Sequence, residues 1–222
     1  MADTISTPRR RKQADRSAKT QEKVVQAAIM LLQTKGYAAT TIQAIARTAG
    51  VSLGAMQHHF PTKAQVMAAV LRHYGLKRAK LYRQSLSKKT KASDRIDSML
   101  DATWLLISQG AEFMATVEIE LARRSDLELA AATQPVLARI DQFMTRWLYG
   151  DLSEEPNARY VQMRLLTSAF LRGLAVEVAR GIPLHELESV FNIWRVFAKQ
   201  EFLKIRTHRD AELSRNVSGR LN

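Results

Sequence analysis

The sequence predicts an all-α protein: a three-helix helix-turn-helix head followed by a larger helical C-terminal domain. Three observations carry that expectation. Apolar residues recur at three- and four-residue spacing from about residue 18 onward, and no alternating run marks a strand. Residues 40–63, TTIQAIARTAGVSLGAMQHHFPTK, read as two short helices joined by a glycine turn. The net charge of +13 also sits at one end. Residues 1–90 hold 17 Lys and Arg against 3 Asp and Glu, whereas residues 91–222 hold 17 against 18. A basic head on a neutral body points to a polyanion as the partner of the head.

The elements follow in order. Residues 1–15 are polar, interrupted by Pro8, and carry Arg9, Arg10, Arg11 and Lys12 in a row. They read as a disordered basic arm, either reaching into a DNA groove or attracting DNA without specificity. The head spans residues 16–75. Its first helix, about 18–35, places Val24, Ala28, Leu31 and Leu32 on one face, with Gly36 as C-cap and Tyr37 packing back. Thr40 or Thr41 caps a second helix running to Ala49, Gly50 makes the turn, and Ser52 caps the third. Pro61 stops that helix. Thr62-x-x-Gln65 is a capping box for a fourth helix, which continues to Leu81 or beyond.

The body spans residues 76–207, with the polar stretch 87–93 (SKKTKAS) separating it from the head. It reads as helices at 94–108 and 112–123, then one opened by a Ser125-x-x-Glu128 box and kinked or broken at Pro135. A loop at 150–156 precedes long apolar helices at 157–180 and 184–206, and residues 208–222 form a flexible tail.

Within residues 40–63, small Ala46 falls where crossing helices touch, and Ile45, Ala49, Val51 and Met56 form one apolar seam. The second helix of such a motif enters the major groove and reads bases with its N-terminal residues and outward face. That nominates Ser52, Leu53, Gly54, Ala55, Gln57 and His58. Leu53 and Ala55 can meet a thymine methyl, Gly54 permits close approach, and Gln57 can hydrogen-bond a base or a phosphate. Thr41 and His59 can donate to phosphate, and Lys63 can neutralise one. Met56 and Phe60 read as core. Adjacent His58 and His59 project about 100° apart and have no other suitably spaced ligand, so no metal or other cofactor is expected.

Thr41-Ile42, Ile45-Ala46, Ala49-Gly50-Val51-Ser52, Gly54 and Phe60-Pro61-x-Lys63, with the lead-in Lys35-Gly36-Tyr37, resemble the N-terminal domain of the tetracycline-repressor (TetR) family. The resemblance covers residues 18–75. It implies a homodimer with a DNA-binding head, a linking fourth helix and a body that binds a small-molecule effector. It implies further that the last two helices pack against their dimer mates, and that the ligand releases the protein from a double-stranded DNA operator. The chain departs from the family at Gln57-His58-His59-Phe60, where the family often carries Tyr-x-Tyr-Phe.

In the body, Trp104, Phe113, Met114, Trp147, Met163 and Phe170, with Glu118 as a polar group, are candidates for the ligand pocket; ordinary core packing explains the apolar ones equally. Phe170, Leu171, Leu174, Val178, Val190, Phe191, Trp194 and Phe197 make the last two helices fit a four-helix dimer interface, or else a buried hairpin.

With no cysteine, disulfides and thiolate metal sites are excluded. No secretory leader and no apolar run of roughly 20 residues is apparent, so a cytoplasmic protein without a membrane partner is expected. No Gly-rich phosphate loop, G-x-S-x-G or H-E-x-x-H is present, and Ser85-x-x-Lys88 lacks partner motifs, so the chain does not read as an enzyme. The rivals are a non-specific basic nucleic-acid-binding protein, and a regulator acting as activator or without a ligand.

Overall fold

The computed structural model describes residues 8–86, 91–108, 111–149 and 158–219, and among them it holds nine α-helices and no strand. The expected loop at 150–156 and most of the polar stretch 87–93 lie outside the described residues. The helices are α1 (Pro8–Ala39), α2 (Ile42–Ala49), α3 (Leu53–His59), α4 (Lys63–Leu86), α5 (Ala92–Ser108), α6 (Ala111–Ala122), α7 (Leu127–Tyr149), α8 (Ala158–Ala179) and α9 (Leu184–Gly219).

Four local expectations need correction. Residues 8–15, expected as part of a disordered arm, are the start of α1. Proline suits the first helical position because its missing N–H would have no partner there, and the Arg, Lys, Gln and Ala that follow are good helix formers. The helical geometry of α1 is interrupted at Gly36, which takes φ 73°, a conformation that costs a residue with a Cβ. The cap of α7 is Asp126, whose Oδ1 accepts the Leu129 N–H at 2.9 Å, while the Ser125 hydroxyl donates instead to the Ala122 carbonyl. α7 also runs through Pro135, so of the expected kink or break the break is absent. The proline side is exposed, where water can take up the carbonyl left unpaired one turn earlier. Finally, α9 continues to Gly219, through most of the expected tail.

The chain divides into two compact units, Met1–Tyr74 with Met114–Leu137, and Gly75–Phe113 with Ala138–Asn222. Residues 114–137, expected in the body, therefore group with the head. In the first unit α1 packs on α2 and α3. Val24, Ala28 and Leu32 of α1, Ile45 and Ala46 of α2, Met56 of α3 and Val66, Met67 and Val70 of α4 are all buried. Ala49 and Val51, expected in the same seam, are only half-buried.

In the second unit α5, α8 and α9 pack together. Leu100, Met163, Leu171, Leu174, Phe191 and Ala198 are buried. At its margin Asp97 of α5 receives Lys199 of α9 at 2.6 Å, and Asp101 receives Arg195 at 2.5 Å. Gly75 faces Ile140 so closely that a Cβ there would stand 2.8 Å from its side chain.

Candidate nucleic-acid interface

Two caps and one glycine set the geometry of the α2–α3 motif. Thr41 sits in extended backbone (φ −90°, ψ 160°), and its Oγ1 accepts the Ala44 N–H at 3.1 Å, which closes the first turn of α2. Gly50 ends α2 in the left-handed region (φ 65°, ψ 37°), and the Val51 N–H returns to the Ala46 carbonyl at 3.1 Å. That pattern satisfies carbonyls a helix end otherwise leaves open. Ser52 then repeats the device: its backbone is extended and its Oγ accepts the Ala55 N–H at 3.2 Å.

The recognition helix α3 has two unlike faces. Met56 is fully buried and Phe60, its C-cap, is nearly so. Leu53, Gly54, Ala55, Gln57 and His58 are exposed, as is Ser52, and His59 is half-buried. A Cβ added at Gly54 would meet nothing within 4 Å, so nothing in the protein requires a glycine there. The exposed face is therefore a row of small and hydrogen-bonding groups. The His58 and His59 rings stand edge to face with centroids 5.2 Å apart. Among the described residues no cluster of three or more His, Cys, Asp or Glu is arranged to hold a metal ion.

Behind the motif lies a polar cluster that sequence reasoning did not find. The Tyr37 hydroxyl donates to Asp126 Oδ2 at 2.6 Å, and the Tyr37 N–H donates to Glu118 Oε2 at 3.0 Å. Lys63 Nζ donates to the Tyr37 carbonyl at 2.7 Å and lies 3.5 Å from the centroid of the Tyr37 ring, a cation–π arrangement. One donor of the Lys63 ammonium, nominated for phosphate, is thus engaged inside the head, and two remain. The Tyr37 hydroxyl, the Leu129 N–H and the Lys63 charge hold the Asp126 carboxyl below the usual carboxylate range, against the opposing effect of burial. Burial, then the hydrogen bond and charge of Asp126, push the Tyr37 phenol well up. Burial lowers the Lys63 ammonium, and the Asp126 charge partly offsets it.

The body candidates divide. Met114 and Glu118 belong to the first unit, and the bond to Tyr37 accounts for Glu118 without a ligand. The side chains of Trp147 and of Arg9, Arg10, Arg11 and Lys12 lie outside the described residues. Trp104, Phe191, Trp194 and Phe170 form one aromatic chain, with successive ring centroids 5.0, 5.5 and 4.7 Å apart. Phe113 and Met163 are buried in the same unit. The indole N–H of Trp194 is buried and has no hydrogen-bond partner among the described residues. Of the interface candidates, Leu171, Leu174, Phe191 and Trp194 face the interior of their own unit, Phe170 and Val178 are half-buried, and Val190 and Phe197 are exposed.

The comparisons with known proteins agree with this geometry. The sequence model described as "Bacterial regulatory proteins, tetR family" matches residues 24–70. The HTH-type transcriptional regulator CymR of Pseudomonas putida is 36% identical over 201 residues, covering 90% of this chain and 85% of CymR. The HTH-type transcriptional repressor KstR2 of Mycolicibacterium smegmatis is 28% identical over 110 residues, 50% of this chain and 54% of KstR2. The crystal structure of the multidrug binding protein EbrR complexed with imidazole matches with a TM-score of 0.58 at 16% identity, over 83% of this chain and 93% of that one, a likeness of fold. The chain belongs to the tetR family of bacterial regulatory proteins and is a sequence-specific DNA-binding transcriptional regulator.

Proposed function

We propose that the protein is a cytoplasmic homodimeric repressor that a small molecule releases from its operator. The observation that carries the dimer is an unpartnered apolar surface. Leu165 and Leu166 of α8 and Val190, Ile193, Val196 and Phe197 of α9 are all exposed, Ile193 by 76%. Val190, Ile193 and Phe197 recur at i, i+3 and i+7, one stripe of a helix that a second copy would cover. Two recognition helices, one per protomer, would then meet two half-sites. In this reading Ser52, Leu53, Gly54, Ala55, Gln57 and His58 face the bases, while Thr41, His59 and the free donors of Lys63 serve phosphates.

Release by a ligand rests on the aromatic chain of the second unit. A buried indole N–H without an acceptor is a costly group, and a ligand oxygen or nitrogen stacked among Trp104, Phe170 and Trp194 would satisfy it. The description of EbrR as a multidrug binding protein supports a ligand in this fold, and the description of KstR2 as a repressor supports the sign of regulation. A ligand that favours one geometry of the body shifts DNA affinity by linkage, typically about 5–150-fold. The test is a thermal-shift screen of small aromatic compounds, followed by operator titration with each hit. Hits that raise the melting temperature should lower operator affinity; hits that bind and leave operator affinity unchanged would remove the repressor-release reading.

A further inference from the structure

The lengthened α1 carries a charge pattern that the helix-turn-helix does not use. Arg9, Lys12, Arg16, Lys19 and Lys23 are spaced three, four, three and four residues apart, all inside α1. At about 100° per residue they fall in a sector roughly 80° wide, some 120° round the helix from Val24, Ala28, Leu31 and Leu32. The acidic residues of this segment, Asp15 and Glu22, stand about 40–60° round the helix from Lys19, at the edge of that sector, and no ion pair among the described residues joins either to a cation of the row. Arg16, Lys19 and Lys23 are exposed, and none of the ion pairs among the described residues involves them.

The row of exposed cations Arg16, Lys19 and Lys23, outside every ion pair among the described residues, repels itself. It becomes favourable when a row of anions lies alongside. From Arg9 to Lys23 the helix rises about 21 Å, the axial length of about six phosphates of one DNA strand. The row belongs to the same compact unit as the recognition helix. A second observation separates it from general basicity: in the second unit the cations Lys199, Arg195, Arg164 and Arg159 are paired with carboxylates.

We infer that this face of α1 is a second DNA contact, a helical rail that lies along the phosphate backbone beside the bases read by α3. The inference rests on the DNA-binding reading of the head and adds to it a sequence-independent share of the affinity. The rail neutralises phosphates and reads no bases, so it raises affinity for every duplex alike and steepens its salt dependence.

The experiment uses the full-length protein, an operator duplex obtained by selection, and a 40-base-pair duplex of scrambled sequence. Wild type is compared with the triple variant Arg16→Gln/Lys19→Gln/Lys23→Gln and with Arg16→Lys, which keeps its charge. The triple variant should lose up to about 2.7 from the slope of log affinity against log salt, so that wild type loses about 40-fold more affinity than the variant between 50 and 200 mM salt. The ratio of operator to scrambled affinity should not change, and Arg16→Lys should keep the wild-type slope. An unchanged slope in the triple variant, with helicity intact by circular dichroism, overturns the rail and leaves operator recognition standing. A wild type that does not prefer its operator overturns the operator reading, whatever the slopes. A slope that falls with Arg16→Lys overturns the electrostatic account of the rail.

Discussion

The bond between the Tyr37 hydroxyl and Asp126 is the sharpest quantitative test of how the head is held. It spans 89 positions of sequence at 2.6 Å, and its acceptor is a carboxylate, which makes it a charge-assisted hydrogen bond. Tyr37→Phe removes the hydroxyl alone. A hydrogen bond to a charged group contributes about 1.5–3 kcal/mol, and because Asp126 is only part-buried, we place this one at about 1–1.5 kcal/mol. Asp126→Ala loses the same bond and the α7 cap to Leu129, a further loss of about 1 kcal/mol. In the double-mutant cycle the cap appears in both arms and cancels, so the coupling energy isolates the Tyr37–Asp126 bond. Urea unfolding at pH 7 of wild type, both single variants and the double variant measures it. A coupling within about 0.3 kcal/mol of zero, the ordinary additivity error, would mean that the Tyr37–Asp126 bond does not stabilise the head.

The same pair has a pH signature with a definite sign. The Asp126 carboxyl is depressed in the folded state, so its stabilisation is complete above the unfolded value of about 3.9 and fades as pH falls through the lower folded one. The gap between wild type and Asp126→Ala should therefore be flat from pH 5 to 8 and narrow below about pH 4. The Tyr37 phenol is raised, so its contribution is complete below about pH 10 and is lost as pH rises further.

Three further outcomes are expected. Gln57→Ala should weaken operator binding by about 5–150-fold, the range of one base pairing, while the urea midpoint stays put; unchanged gel-shift affinity would take Gln57 out of the interface. Ile193→Glu places a charge in the exposed apolar stripe and should turn a dimer into a monomer in sedimentation at micromolar concentration, whereas a dimer of unchanged mass would move the interface elsewhere. Trp194→Phe keeps a ring against Phe170 and removes the unpaired N–H. It should raise or preserve stability while blunting the response of operator binding to any releasing ligand, and an undiminished response would remove Trp194 from the ligand reading.

Much of the head was legible because local chemistry dictates it. Thr41, Gly50, Ser52 and Thr62 act through groups one turn away, and each cap bond is present. The burial of Met56 against the exposure of Gln57 follows from helical spacing. What stayed hidden depends on distant pairing. Nothing near Tyr37 reveals Asp126 or Glu118, and Glu118 on an apolar helix looks as much like a ligand group as a partner for a backbone N–H. In the last two helices apolar residues lie nearly all round, so periodicity did not separate Leu171, Leu174, Phe191 and Trp194, which face inward, from Leu165, Ile193 and Val196, which do not. Polarity and Pro8 do not decide the state of residues 8–15, because proline opens a helix as readily as it interrupts one.

In the proposed dimer, two copies of this chain read DNA sequence through paired α3 helices. Selection of binding sites from a pool of random duplexes by the full-length protein tests it most directly. The expected outcome is enrichment of an inverted repeat whose half-sites are centred about 34–36 Å apart, or a multiple of that spacing. A pool that retains binding but yields no common sequence, or only a lone half-site, would contradict it.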